Sequence, residues 1–131
     1  MQARVLIVDD DRAVRTALKI NLSKHRFLVE TATNAEEALQ FMTDSSFDLV
    51  LTDVKMPGAS GMSLLKRIRE QWPDTSVIMM TGHGSVEDAV QAIKEGASEY
   101  IIKPISKDAL LVMIGRAVKD KQMRSELHDL R

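Results

Sequence analysis

The chain contains no cysteine in 131 residues, which excludes a disulfide framework and any thiolate metal site. No apolar run approaches the roughly 20 residues of a membrane span, so no membrane partner is expected. A strand-like run begins within four residues of Met1 and leaves no room for a secretory leader; a cytoplasmic protein is expected. Positive charge is not in excess. Lys and Arg total 18 against 19 Asp and Glu, and a net charge of -1 argues against a nucleic-acid surface on this chain. Helix breakers are scarce at the end: no proline follows Pro104 and no glycine follows Gly115. What is present is ordinary for one globular domain with a single core, 44% hydrophobic and 28% charged.

Five apolar runs read as strands, and four end on a residue suited to phosphoryl chemistry. Val5–Val8 runs into Asp9, Asp10 and Asp11, and Leu49–Thr52 into Asp53. Val77–Met80 runs into Thr81, and Tyr100–Ile102 into Lys103 and Pro104. Phe27–Ala32 mixes in polar residues, as an edge strand does. Between the runs apolar residues recur at helical period: Val14, Ala17, Leu18, Leu22; Ala35, Ala38, Leu39, Met42; Leu64, Leu65, Ile68; and Val86, Ala89, Val90, Ile93. Asn34 with Glu37 reads as a capping box, Ser85 with Asp88 as a weaker one, and Asp11 and Ser106 as caps. Gly96 and Pro73 mark helix ends.

Strand and helix alternating five times predict an α/β fold, a single flavodoxin-like, doubly wound five-stranded parallel sheet flanked by five helices. Strand order 2-1-3-4-5 places the topological switch point between strands 1 and 3, where such sheets bind ligands. Asp9, Asp10 and Asp53 follow those strands. Two carboxylates about 4 Å apart repel by roughly 4 kcal/mol at an effective dielectric near 20. A third requires either a raised pKa or a cation. An all-oxygen set with partial protein coordination suits Mg2+. Asp10 and Asp53 are assigned as direct ligands, Asp9 through water, and the backbone carbonyl of Lys55 completes the set. Asp53 is the candidate nucleophile, with Lys103 and the metal balancing phosphoryl charge and the Thr81 hydroxyl bonding a phosphoryl oxygen.

These residues, in this order, resemble the receiver domain of two-component response regulators across about residues 4–118. The matches are the acidic pair Asp9 and Asp10, the phosphoacceptor Asp53 and the Met-Pro-x-x-x-Gly loop of Met56, Pro57 and Gly61. The switch hydroxyl Thr81, the switch aromatic Tyr100 and the Lys103-Pro104 pair complete the pattern. The resemblance implies that a sensor histidine kinase, or a small acyl phosphate, phosphorylates Asp53 with Mg2+. Thr81 is then drawn toward the phosphate, Tyr100 turns inward, and the face of the fourth helix, fifth strand and fifth helix changes shape. A homodimer through that face or through the C-terminal helix is left open. A cis Lys103-Pro104 bond is expected. His83, two residues past Thr81, is weighed as a gate for water against a plain loop residue, and the Lys55 side chain likewise.

The stretch from Thr81 to Ser85, with Ala89-Val90 and Gly96-Ala97, is similar to the NtrC class, in which a receiver precedes an ATPase acting on the sigma-54 polymerase and a DNA-binding domain. No phosphate-binding Gly-x-x-x-x-Gly-Lys loop is present here. Residues 1–120 are therefore read as the receiver and 121–131 as a helical extension or linker, with Met123, Leu127 and Leu130 on one stripe. Two rivals are weighed. A phosphatase similar to the haloacid dehalogenase group would leave Asp53 without a role. An unphosphorylated pseudo-receiver would not need the full set of Asp9, Asp10, Asp53, Thr81 and Lys103.

Overall fold

The apolar runs form a parallel sheet because each is flanked by a helix long enough to carry the chain back across one face. The computed structural model describes residues 2–56, 58–82 and 84–129; Pro57, His83 and Leu130 lie outside the described residues. In chain order the elements are β1 (Arg4–Val8), α1 (Arg12–Lys24), β2 (Leu28–Ala32), α2 (Ala35–Asp44), β3 (Leu49–Asp53), α3 (Gly61–Gln71), β4 (Ser76–Thr81), α4 (Val86–Lys94), β5 (Glu99–Ile102) and α5 (Lys107–Asp129). The sheet order is β2-β1-β3-β4-β5, with every pair parallel, as predicted. Among the described residues no helix is long and apolar enough to cross a membrane.

Alternation along the strands splits the core into two layers. Leu6, Val8, Val50, Val77 and Met79 face one side, against Ala38 and Met42 of α2, Leu64, Leu65 and Ile68 of α3, and Ala92 of α4. Val5, Ile7, Leu51, Ile78 and Met80 face the other, against Leu22 of α1 and Leu110, Ile114 and Ala117 of α5. The predicted caps close four helices. Asp11, Asn34, Ser85 and Ser106 accept the amides of Ala13, Glu37, Asp88 and Ala109 at 2.9, 2.8, 3.1 and 3.1 Å. Ser60 caps α3 in the same way, accepting the Ser63 amide at 3.2 Å. In the Asn34 box the return bond is displaced by one residue: Glu37 accepts the amide and hydroxyl of Thr33 at 3.3 and 3.1 Å.

Three elements differ in detail from their sequence patterns. Phe27 lies outside β2, and β5, the other edge, leaves Ile102 about half exposed. In α4 the stripe Val86, Ala89, Val90, Ile93 does not face the core. Ala92 is fully buried, while Val86, Val90 and Ile93 are 80%, 48% and 49% exposed. Period identifies a helix, but it cannot say which residues of it meet the core; here the small Ala92 does.

At the other end of the sheet α5 passes residue 120 without a break. Lys121 pairs with Asp48 at 3.1 Å, Asp48 also accepts the Arg4 amide at 2.8 Å, and the Ser76 hydroxyl donates to the Ala117 carbonyl at 2.8 Å. Met123 is exposed, and the Leu127 side chain lies outside the described residues.

Candidate functional site

β1 and β3 are neighbours, so Asp9 and Asp53 emerge side by side at the carboxyl edge of the sheet. Carboxylate oxygens of Asp9, Asp10 and Asp53 all lie within 4.8 Å of one another. Their environments differ. Asp9 is buried, Asp53 is half-buried and Asp10 is exposed.

Asp9 is tied down on both oxygens. Oδ1 accepts the Asp11 amide at 2.9 Å, and the Lys103 ammonium donates to Oδ2 at 3.2 Å. Its amide extends the sheet to the Ala32 carbonyl at 3.1 Å, and Arg15 donates to its carbonyl at 2.8 Å. A buried carboxylate needs such partners, because an unpaired charge in a protein interior is costly.

Burial is the largest influence on Asp53 and pushes its carboxyl up from the ordinary 3.8. Lys103 opposes this, Asp9 adds to it, and hydrogen bonds from the backbone of Lys55 and Val54 oppose it again. The half-buried carboxylate thus faces one cation and two amides that offset part of the effect of burial. The backbone beneath it is fixed. The Thr52 hydroxyl donates to the Asp53 carbonyl at 3.0 Å, the Val54 amide donates to Met80 at 3.0 Å, and the Gly61 amide donates to Val54 at 2.8 Å. Gly61 approaches so closely that a Cβ there would lie 2.2 Å from the Asp53 carbonyl oxygen.

Lys103 and Thr81 come from the neighbouring strands β5 and β4. The Lys103 amide donates to the Thr81 carbonyl at 2.7 Å, and the Lys103–Pro104 peptide bond is cis. Thr81 is buried. Tyr100 is half-buried, and its hydroxyl is buried with no hydrogen-bond partner among the described residues. Burial, with Asp88 nearby, pushes its phenol up. The Lys55 side chain is exposed, and His83 and Pro57 lie outside the described residues.

The strand-end residues were thus legible in sequence, but their supports were not. Thr52, fully buried inside an apolar run, was the available signal: a buried hydroxyl requires a partner. Arg15 carried no comparable signal, since a basic residue on a surface helix is common.

Three carboxylates on a rigid edge, one of them open to solvent, suit a hard dication that keeps part of its water. The adjacent ammonium and hydroxyl suit a phosphoryl group. No histidine among the described residues joins the acidic cluster.

The comparisons agree with this geometry. The family model for the response regulator receiver domain matches residues 5–115. The chain is 42% identical over 118 residues to the response regulator protein FleR of Pseudomonas aeruginosa, covering 88% of this chain and 24% of that protein. It is 36% identical over 127 residues to the C4-dicarboxylate transport transcriptional regulatory protein DctD of Rhizobium meliloti, covering 97% of this chain and 28% of DctD. The chain thus spans about a quarter of the length of the curated relatives it matches. The crystal structure of NtrX from Brucella abortus in complex with ADP superposes with a TM-score of 0.92 at 36% identity, covering 100% of this chain and 30% of that one.

Proposed function

Because this chain belongs to the response regulator receiver family, with relatives of the NtrC class, we propose that it is a phosphorylation-dependent switch whose phosphoacceptor is Asp53. The observation that carries this reading is the convergence of Asp9, Asp10 and Asp53 within 4.8 Å at adjoining strand ends, with Lys103 anchored at their edge. An Asp53 carboxylate oxygen attacks the phosphorus of a phosphohistidine on a sensor histidine kinase, or of a small acyl phosphate. The new O–P bond forms as the P–N or P–O bond breaks, and the electron pair leaves with the imidazole or the carboxylate. Asp10 and Asp53 directly, Asp9 through water and the Lys55 carbonyl would hold Mg2+, which supplies neutralisation of the phosphoryl charge.

Lys103 shares its charge between Asp9 and the incoming phosphoryl oxygens. The Thr81 hydroxyl donates to one of those oxygens, and Tyr100 follows it. A near-complete population flip needs about 5.5 kcal/mol of differential stabilisation. One charge-assisted hydrogen bond supplies roughly 1.5–3 kcal/mol, so Lys103 and the backbone after Thr81 contribute as well. The chain catalyses its own phosphorylation and dephosphorylation and is a signalling domain rather than a turnover enzyme. Residues 1–120 act as the receiver, and 121–131 begin the helical connection to output domains, an ATPase and a DNA-binding unit of the NtrC type. The domain itself contacts no nucleic acid and works in the cytoplasm. Val90 and Ile93 of α4, Ile102 of β5 and Val112 of α5 offer an exposed apolar face for a homodimer, with the C-terminal helix as the other candidate surface.

Incubation with acetyl phosphate and Mg2+ followed by intact-mass measurement tests the reading. A gain of one phosphoryl group is expected, absent in Asp53→Ala and absent without Mg2+. No gain in the wild-type chain would leave the domain an unphosphorylated interaction module.

A further inference from the structure

Gly84 stands in the segment between β4 and α4 for a reason the backbone does not supply. Its φ lies outside the left-handed range, unlike those of Gly58 and Gly96, at +80° and +107°. Nor is it simply exposed: a Cβ on Gly82, two residues earlier, would meet nothing within 4 Å. A Cβ on Gly84 would lie 2.8 Å from the Tyr100 hydroxyl oxygen, 3.0 Å from its ring Cε1 and 2.9 Å from the Thr81 Cγ2. The glycine therefore provides space, and the two side chains that use the space are the strand-end hydroxyl residue and the aromatic beside it.

We propose that Gly84 is a positioning residue, the socket in which the Tyr100 ring rests inward against Thr81. A side chain at position 84 ejects the ring and uncouples it from events at Asp53. The inward ring is held by fit rather than by a polar anchor, since its hydroxyl is buried without a hydrogen-bond partner among the described residues. A position held by fit alone is tipped by one methyl group: the nearest atom in the way is the far end of the Tyr100 side chain, which can rotate outward, while Cγ2 of the buried Thr81 must give slightly. The ring also borders an opening of about 210 Å³ lined by Val54, Met62, Asp88 and Gln91, so it is not locked by close packing on every side. Thr81 Cγ2 and the Tyr100 hydroxyl both border the space that a Cβ at position 84 would take, so a side chain there presses on both. This inference rests on the switch reading above, but ring position can be measured without phosphorylation.

Tyr100 is the only tyrosine in the chain, so 3-fluorotyrosine labelling yields a single fluorine resonance. A soluble paramagnetic agent broadens that resonance according to how exposed the ring is. Gly84→Ala and Gly84→Ser should shift it and increase the broadening several-fold, whereas Gly82→Ala should not. With acetyl phosphate and Mg2+, Gly84→Ala should still gain one phosphoryl group, but the accompanying shift of the tyrosine resonance should fall several-fold. Melting temperatures add a check that needs no phosphorylation. The loss caused by Gly84→Ala should largely disappear in a Tyr100→Ala background. An unchanged resonance in folded Gly84→Ala, or a full melting loss that persists without Tyr100, would overturn the socket. Failure of the wild type to take up phosphoryl would instead remove the switch reading, and the ring measurement would still decide the socket.

Discussion

Asp53 carries a charge that the fold makes costly. In the unfolded chain its carboxyl titrates at the ordinary 3.8; in the folded chain burial and Asp9 raise it. Below the ordinary value Asp53 is protonated in both states and the difference contributes nothing against folding. As pH rises through the folded value it ionises in both, and the raised pKa then stands as lost stability. Asp53→Asn, which keeps the shape and removes the charge, should therefore melt higher than wild type near pH 7. That advantage should shrink steadily as the melts are repeated toward about pH 3.5. Mg2+ should narrow the neutral-pH gap by stabilising the wild type alone. An advantage that is flat with pH would show that Asn stabilises for another reason.

Gly61 makes the complementary case at the same scale, because the atoms against it are backbone and cannot rotate away. A Cβ there would lie 2.2 Å from the Asp53 carbonyl oxygen and 2.9 Å from Val54 Cα. Gly61→Ala should cost about 1–3 kcal/mol in urea melts through forced backbone shifts. It should also slow phosphoryl uptake, on the order of a hundredfold for a displacement near 1 Å. Wild-type uptake in a destabilised Gly61→Ala would separate packing from positioning.

Among the elements, α5 holds a glycine that does neither job. Gly115 is exposed, and a Cβ on it would meet nothing within 4 Å. Gly115→Ala should stabilise the chain by about 0.5–1 kcal/mol, the ordinary helix preference, as read from denaturant melts. The elements also show what a sequence carries and what it does not. β1, β3 and β4 were legible because both faces are covered, so their residues are continuously apolar and the polar residue ending each run stands out. The inward arc of α4 was not legible. Val86, Val90 and Ile93 are more hydrophobic than Ala92, yet Ala92 is the residue of α4 that is buried in the core. The supports under Asp53 were not legible for a different reason: the Thr52 hydroxyl bonds the carbonyl of the very next residue, a rotamer choice that no pattern records, and Gly61 meets backbone of Asp53 and Val54 that only the folded loop brings within reach.

Across the whole molecule the two ends of the sheet do different work. At the amino edge Lys121, Asp48 and Arg4 join α5 to the sheet, so the helix is still tied to the domain at residue 121. At the carboxyl edge lies the acidic site, and on the flank between α4 and α5 lies the apolar arc that the fold leaves exposed. Val90, Ile93, Ile102 and Val112 are each about half exposed or more. Scattered apolar side chains need no explanation, but several on adjoining elements are characteristic of an association surface. A solved relative, the beryllofluoride-activated NtrC4 receiver domain, is a dimer and superposes with a TM-score of 0.86 at 37% identity. If the same flank responds to the site here, beryllofluoride with Mg2+ should shift this chain from monomer toward dimer in sedimentation velocity. Ile93→Glu should keep it monomeric without changing its unfolding free energy, read from denaturant melts, by more than the roughly 0.5 kcal/mol expected of a surface substitution. Asp53→Ala should stay monomeric as well, because it removes the proposed phosphoacceptor. A dimer that survives Ile93→Glu would move the interface to the extended end of α5, where truncation before Lys121 would then be expected to abolish it.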